Sequence, residues 1–308
     1  MNHEELLQNY YKKYLNREPD KMGFDHYLSK LNNGELNEKT LEQEFTNSLE
    51  YKAKQLESKF KKNSETKIEI NEKTFFVTTD QNAYFWAQAQ LGIWEPETFK
   101  IFDMFLDSNH SYVDLGSWIG PTVLYGSQSA KKCYAIEPDN VAFQILKKNV
   151  ELNSHLSSKI ELFELCFADF CGVTHLTPRF ELGDSMSNTI FEKTENSLLV
   201  NTTTFEQFLS DNSIHDCNFV KMDIEGSEFI VLPTMNKFIE EVKPTIHLSM
   251  HLPLIQKPLE KIKKIHKIIS KYDFLYDSKL NILEKNFILN EDNFDKFFEV
   301  VVSDRKIY

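Results

Sequence analysis

Three short stretches carry side chains whose spacing could do chemistry: YVDLGSWIGPT at 112–122, VKMDIEGSE at 220–228 and TIHLSMH at 245–251. In the first, Asp114, Gly116 and Gly120 give the spacing D-x-G-x-x-x-G at the end of an apolar run, and Glu137 closes the next such run. An acidic side chain roughly 20 residues beyond a glycine turn can accept both ribose hydroxyls of a nucleoside. A dinucleotide site needs G-x-G-x-x-G, whose central glycine admits a pyrophosphate to a helix N-terminus. Here Trp118 stands at that central position, and Asp114 would repel the phosphates. The same acid can hold an ammonium through a charge-assisted hydrogen bond. A nucleoside with an amine and no phosphate, S-adenosylmethionine, fits better than a dinucleotide.

Methyl transfer from a sulfonium requires acceptor atom, methyl and sulfur in line, and a group to take the proton of a protonated acceptor. Strand alternation would put Lys221, Asp223 and Glu225 on one face if the strand persists that far, and His247, Ser249 and His251 on one face of the other. Neighbouring strands would then let Asp223 and Glu225 face His251. His251, oriented by a carboxylate, is the preferred general base, and Asp223 acting directly is the alternative. Lys221 could act as a base only if burial depressed its pKa strongly, and otherwise serves as an ion-pair partner. A second possibility is that Asp223, Glu225 and His251 hold a divalent ion such as Mg²⁺ or Mn²⁺. His247 also fits a satisfied histidine on a buried strand.

These residues need a parallel sheet to position them. SYVDLG, KKCYAIEPD, IELFELCFAD, CNFVKMDIEG and KPTIHLSMH read as strands, with VAFQILKKNVELN, TTTFEQFLSD and SEFIVLPTMNKFIEE as helices between them. That alternation is the mark of an α/β, doubly wound sheet. The tail adds a helix LEKIKKIHKIISKYDF, its lysines a solvated face, and strands KLNILE and FFEVVVSDRK. Upstream, apolar residues at helical spacing such as Leu6, Tyr10 and Tyr14, or Leu41, Phe45 and Leu49, mark a small all-helical domain over 1–58. The polar stretch 59–66 reads as a linker, and KIEINEKTFFVT as a hairpin turning at Asn71-Glu72 opening a domain over 67–308.

A formal charge of −12 over 308 residues disfavours nucleic acid and anionic membranes, because phosphate affinity comes mainly from Lys and Arg. The four cysteines form no CxxC pair and read as buried free thiols. A charged amino-terminal stretch, and no apolar run of about 18 residues, predict a protein with no membrane span, expected in the cytoplasm.

Taken together, YVDLGSWIG, YAIEPD, FVKMDIEGSE and KPTIHLSMH resemble the FkbM-type family of S-adenosylmethionine-dependent methyltransferases, most specifically through KMDIEGSE. The resemblance implies a class I, Rossmann-like methyltransferase fold and O-methylation, often of sugars in glycans, glycolipids or nucleotide-sugar precursors. By position it implies that Asp114, Gly116, Ser117, Trp118 and Gly120 surround the methionine half, Glu137 and Pro138 the ribose, and Cys166 with Phe167, Ala168 and Asp169 the adenine. Glu95, from GIWEPETF, joins the cofactor set, and Asp223 sits where cofactor and acceptor meet. In GDSMSNTIF, a loop near the site, Ser185, Ser187 and Asn188 are implied to bind substrate, with His247. The chain departs from the family at Ser117-Trp118, usually Ala-Asn, at Phe205-Glu206, usually Leu-Asp, and at Ser249, often Glu. Residues 5–55 resemble a short helical domain of unassigned function found in bacterial glycan-related proteins, implying docking to a protein partner or homo-oligomerisation. The alternatives are a non-catalytic cofactor-binding adaptor in glycan assembly and an NAD-dependent oxidoreductase.

Overall fold

The structure, a computed structural model, describes residues 2–307. It divides into two compact units, one comprising the chain up to Glu72 with Val77–Pro96, the other Lys73–Phe76 with the chain from Glu97 onward.

The first unit opens with α1 (His3–Leu15), α2 (Lys21–Asn32), α3 (Glu38–Asn47) and α4 (Leu49–Phe60). Each starts where the sequence supplies a cap: Asn2, Asp20, Asn37 and Ser48 accept a first-turn backbone N–H. Their apolar stripes close on Tyr10, Tyr11, Tyr14, Leu41 and Phe45. The Arg17 guanidinium donates to both Glu50 oxygens, at 2.8 and 2.9 Å, fastening the α1–α2 loop to α4. The stretch 59–66 holds the end of α4 and the first residues of β1 (Glu65–Ile70). β1 pairs with β2 (Lys73–Thr78), turning at Asn71 and Glu72, both left-handed at φ 45° and 68°, and α5 (Ala83–Gln90) follows.

The second unit is an α/β domain. After α6 (Pro96–Phe105) come β3 (Ser111–Leu115), α7 (Pro121–Gly126), β4 (Lys132–Ile136), α8 (Asn140–Glu151), α9 (Ser154–Ser157), β5 (Ile160–Phe163) and β6 (Cys166–Phe167). β7 (Gly172–Leu176), β8 (Leu198–Thr203), α10 (Phe205–Asp211), β9 (Cys217–Met222), α11 (Glu228–Val231), α12 (Asn236–Val242), β10 (Thr245–His251), α13 (Pro258–Ile269), β11 (Phe274–Asp277) and β12 (Phe297–Ser303) complete it. The main sheet runs β11-β12-β10-β9-β3-β4-β5, parallel from β10 to β5, with β12 antiparallel to both its neighbours. Every residue of β3 is buried, as a central strand covered on both faces requires. Strand order reverses between β4 and β9 around β3, so a crevice opens at the carboxyl ends of those strands.

The doubly wound sheet expected from the sequence is present, with four local differences. IELFELCFAD is two strands, β5 in the main sheet and β6 in a separate sheet of order β6-β8-β7. The strand β7 and its partner β8 had no counterpart in the sequence reading. SEFIVLPTMNKFIEE is broken into α11, a 3₁₀ turn at Leu232–Met235 and α12, because Pro233 has no N–H to continue an α-helix. The strand expected at KLNILE is instead β11, just before it; Leu280 adopts φ 66° and ends regular pairing, leaving only a bridge from Ile282 to Tyr276.

Candidate active site

The crevice is built on a row of charged side chains across three strands. Asp114 on β3 pairs in register with Lys221 on β9, which pairs with His247 on β10, so the three share one face. Lys221 Nζ lies 3.3 Å from Asp114 Oδ1 and 3.6 Å from Asp223 Oδ2, and donates to the Gly116 carbonyl at 3.0 Å. Thr122 Oγ1, from the first turn of α7, donates to Asp114 Oδ2 at 2.6 Å. Burial pushes the Asp114 carboxyl above its usual range, and Lys221 and Thr122 pull it back in part. Asp114 is thus the keel of the glycine turn. It is fully buried, so holding a ligand ammonium would require Lys221 to give way.

The turn itself leaves little room for side chains at its glycines. A Cβ on Gly116 would meet the Asp223 carbonyl oxygen at 1.8 Å, and one on Gly120 the Leu146 side chain at 2.7 Å; both residues have left-handed backbones. Ser117 is buried and donates to the Asp114 carbonyl at 2.9 Å. Trp118 also adopts a left-handed conformation, φ 45°, which an L-residue holds only when its surroundings fix it. Two bonds do so: its backbone N–H donates to Glu137 Oε2 and its indole N–H to the Gly183 carbonyl, each at 2.8 Å.

Glu137 directly follows β4, its other oxygen accepting from the Asp139 N–H at 2.8 Å, and burial raises its carboxyl to about 7. Asp139 caps α8 and reaches onward with Oδ2, accepting from the Gly183 N–H at 2.8 Å and from Ser187 Oγ at 3.2 Å. Pro138 lies between these two acids, half-buried. The glycine turn, the acid after β4 and the 183–187 loop therefore form one hydrogen-bonded circuit.

On the other side, β9 ends at Met222, earlier than the alternation argument assumed. Glu225 reaches the crevice through a turn, at φ 52°, instead of along a strand. The intended juxtaposition still forms: His251 Nε2 lies 3.5 Å from Asp223 Oδ1 and 3.6 Å from Glu225 Oε1. Its Nδ1 is 2.9 Å from Glu228 Oε1, so the carboxylate that orients the ring is Glu228, which in the sequence looks like part of a helix. Glu228 is fully buried and its oxygens accept from the Ile224 and Gly226 N–H groups, each at 2.8 Å. The available signal was an acid at the first turn after Gly226-Ser227, where a carboxylate satisfies free backbone N–H groups.

Charges in this cluster shift one another. Burial alone would raise the Asp223 carboxyl, but Lys221, His251 and His247 outweigh it and hold it below the usual range. Burial dominates at Glu225 and lifts it to about 7. At His251 burial opposes protonation, yet Glu228, Asp223 and Glu225 together raise the ring to about 9. In this arrangement the imidazole keeps its proton at neutral pH, which bears directly on its expected role as general base.

The remaining expected site residues are more dispersed. His247 is 1 % exposed, edge-on to Phe102 and 3.4 Å from Glu299, so it has no free surface for a substrate. Ser249 is buried on β10. Asn188 is buried and uses its side-chain oxygen to accept the Ile190 and Phe191 N–H groups, shaping the loop; Ser185 is exposed. Phe167 packs into the core against Phe205 and Phe208, Cys166 is buried, Ala168 donates its N–H to the Thr203 carbonyl, and Asp169 is exposed. Glu95, left-handed at φ 36°, belongs to the first compact unit. Among the described residues no helix is long and apolar enough to cross a membrane.

Residues 116–276 of the chain match the methyltransferase FkbM domain, and residues 1–55 match a domain of unknown function, DUF4214. Among solved structures it is similar to methyltransferase FkbM from Methylobacillus flagellatus KT, at 17 % identity and a TM-score of 0.39, covering 65 % of this chain and 52 % of that one. The chain therefore spans about half the length of that relative. A Streptococcus mutans protein solved in complex with SAH is similar at 10 % identity and a TM-score of 0.37, covering 67 % of this chain and 94 % of that one. The precorrin 8w decarboxylase of Methanobacterium thermoautotrophicum is similar at 13 % identity and a TM-score of 0.37, covering 67 % and 88 %. No curated protein matches.

Proposed function

Since the chain belongs to the FkbM methyltransferase family, we propose that it is an S-adenosylmethionine-dependent O-methyltransferase acting on a sugar hydroxyl of a glycan, glycolipid or nucleotide-sugar precursor. The observation that carries this reading is the position of Asp223. Its backbone N–H donates to the Leu115 carbonyl and its carbonyl oxygen closes on Gly116, while its carboxylate spans from Lys221 to His251. One residue thus touches both the turn that would hold the cofactor and the cluster that would handle an acceptor.

The residues present suit the cofactor. Trp118 replaces the open centre of a phosphate loop, the crevice offers acids where a pyrophosphate needs donors, and Glu137 stands at the end of the strand beside the turn, where a ribose diol is held in such folds. Gly116, Ser117, Trp118 and Gly120 would bound the methionine half, Glu137 and Pro138 the ribose, and Ala168 and Asp169 the adenine. When bound, S-adenosylmethionine supplies a methyl group on a sulfonium, whose carbon–sulfur bond breaks as the acceptor oxygen takes the methyl and a neutral thioether is left. The chain's own part is to fix the acceptor oxygen in line and to remove its proton. Asp223, kept ionised by Lys221, takes that proton, and Lys221 offsets the charge beneath the turn. Ser187, held on Asp139, and Ser185 present the 183–187 loop to the acceptor.

Incubation with methyl-labelled S-adenosylmethionine and a pool of bacterial surface glycans tests the reading. Label is expected in a hexose by mass spectrometry, and not with Asp223→Asn. Transfer to protein or nucleic acid instead, or undiminished transfer by Asp223→Asn, would overturn it.

A further inference from the structure

We propose that Asp223, Glu225 and His251 form a divalent-cation site with the character of a Mn²⁺ centre, held by two carboxylates and one imidazole. Its role in activating an acceptor hydroxyl rests on the methyltransferase reading above; the binding itself does not.

The geometry is that of ligands around an ion. One donor atom from each residue lies within 4.8 Å of the other two. The separations from His251 Nε2 to Asp223 Oδ1, 3.5 Å, and to Glu225 Oε1, 3.6 Å, are too long for hydrogen bonds. Ligand atoms about 2.1 Å from a shared ion sit roughly 3 Å apart when they subtend a right angle, so a small inward movement of two side chains would complete the contacts. The third residue is already set. Glu228, fixed by two backbone N–H groups, accepts a hydrogen bond from Nδ1–H of His251, so that when an ion displaces the Nε2 proton the lone pair faces the two carboxylates. A carboxylate behind a ligating histidine is how proteins commonly fix the tautomer at a metal.

Charge argues the same way. Asp114, Asp223, Glu225 and Glu228 bring four carboxyl groups together against Lys221 and His251, and a dication offsets the excess of acids. Two oxygen donors with one imidazole suit Mn²⁺ better than Mg²⁺, which favours oxygen alone, or structural zinc, which favours sulfur and nitrogen. Three protein ligands leave positions open for a hydroxyl. Asp223 can ligate through Oδ1 and still accept the hydroxyl proton at Oδ2.

The test uses the full chain and Mn²⁺ alone. Titration followed by the electron paramagnetic resonance of free Mn²⁺ should show one bound equivalent, with spin-echo modulation from a coordinated imidazole nitrogen that His251→Ala abolishes. Glu225→Gln, an isosteric change in a turn, should weaken binding at least tenfold, and Glu228→Gln about 10- to 100-fold, as loss of a supporting carboxylate does. S-adenosylmethionine binding measured in EDTA shows that each variant is folded and tests the methyltransferase reading separately. Absence of stoichiometric Mn²⁺ in a wild type that still binds S-adenosylmethionine would overturn the cation site alone, as would binding that Glu225→Gln and His251→Ala leave unchanged. A plain ion-pair network is what such a result would leave.

Discussion

The indole N–H of Trp118 donates to the carbonyl of Gly183 at 2.8 Å, across 65 residues of sequence. The bulkiest side chain of the glycine turn therefore acts as a clasp on the loop that would face the acceptor. Trp118→Phe keeps a ring but removes the bond, worth about 0.5–1.5 kcal/mol. Hydrogen exchange across 183–188 should quicken several-fold with little change in melting temperature. Unaltered exchange in that loop would mean that Asp139 alone holds it.

Glu137 gives a pH dependence with a definite sign. Burial raises its folded carboxyl from 4.5 to about 7, so S-adenosylmethionine affinity, which needs the ionised form to accept ribose hydroxyls, should fall below pH 7. One unit lower it should be weaker by roughly tenfold. Folding responds the other way. A raised carboxyl binds its proton more tightly when folded, so its contribution to stability is complete below about 4.5 and fades as pH rises to about 7. Titration calorimetry from pH 6 to 8 checks the first effect, and Glu137→Gln should flatten it.

Asp114→Asn removes the principal counter-charge of a buried lysine. Leaving one partner of a buried pair uncompensated costs roughly 3–5 kcal/mol, reduced to the extent that Asp223 can draw Lys221 toward itself. Denaturant unfolding should show a loss of a few kcal/mol with an unchanged slope. A loss below about 1 kcal/mol would mean that the pair is not the keel of the turn.

Gly116→Ala should be damaging, because its Cβ would strike the Asp223 carbonyl oxygen and its φ of 79° is strained for alanine. The expected outcome is loss of cofactor binding together with lowered stability. A folded Gly116→Ala protein with wild-type affinity would contradict the close approach of these two segments.

Much of this was readable in the chain. The alternation of apolar runs and helical stretches specified the parallel sheet, since buried central strands and their covering helices leave a strong periodic trace. Asp114, Gly116, Gly120, Glu137, Asp223 and His251 stand out in the sequence by type and spacing as candidates. What failed were details set by single backbone torsions and by tertiary partners. Glu225 also stands out, but its route does not, because nothing local says that β9 stops at Met222 and that the chain turns left-handed. Glu228 looked like an ordinary helix-opening acid, and only the fold brings His251 to it. Leu280 looks like part of an alternating strand, and its left-handed conformation is invisible to pattern. Trp118 is conspicuous in the glycine turn, but its partner Gly183 lies in a loop that no periodicity places.

Calorimetric titration of S-adenosylmethionine into the wild type and Glu137→Ala, side by side at pH 8, tests the account at its centre. Binding of micromolar order by the wild type, and none measurable by a folded Glu137→Ala protein, is the predicted result. Equal affinity in both proteins, or none in either, would contradict it.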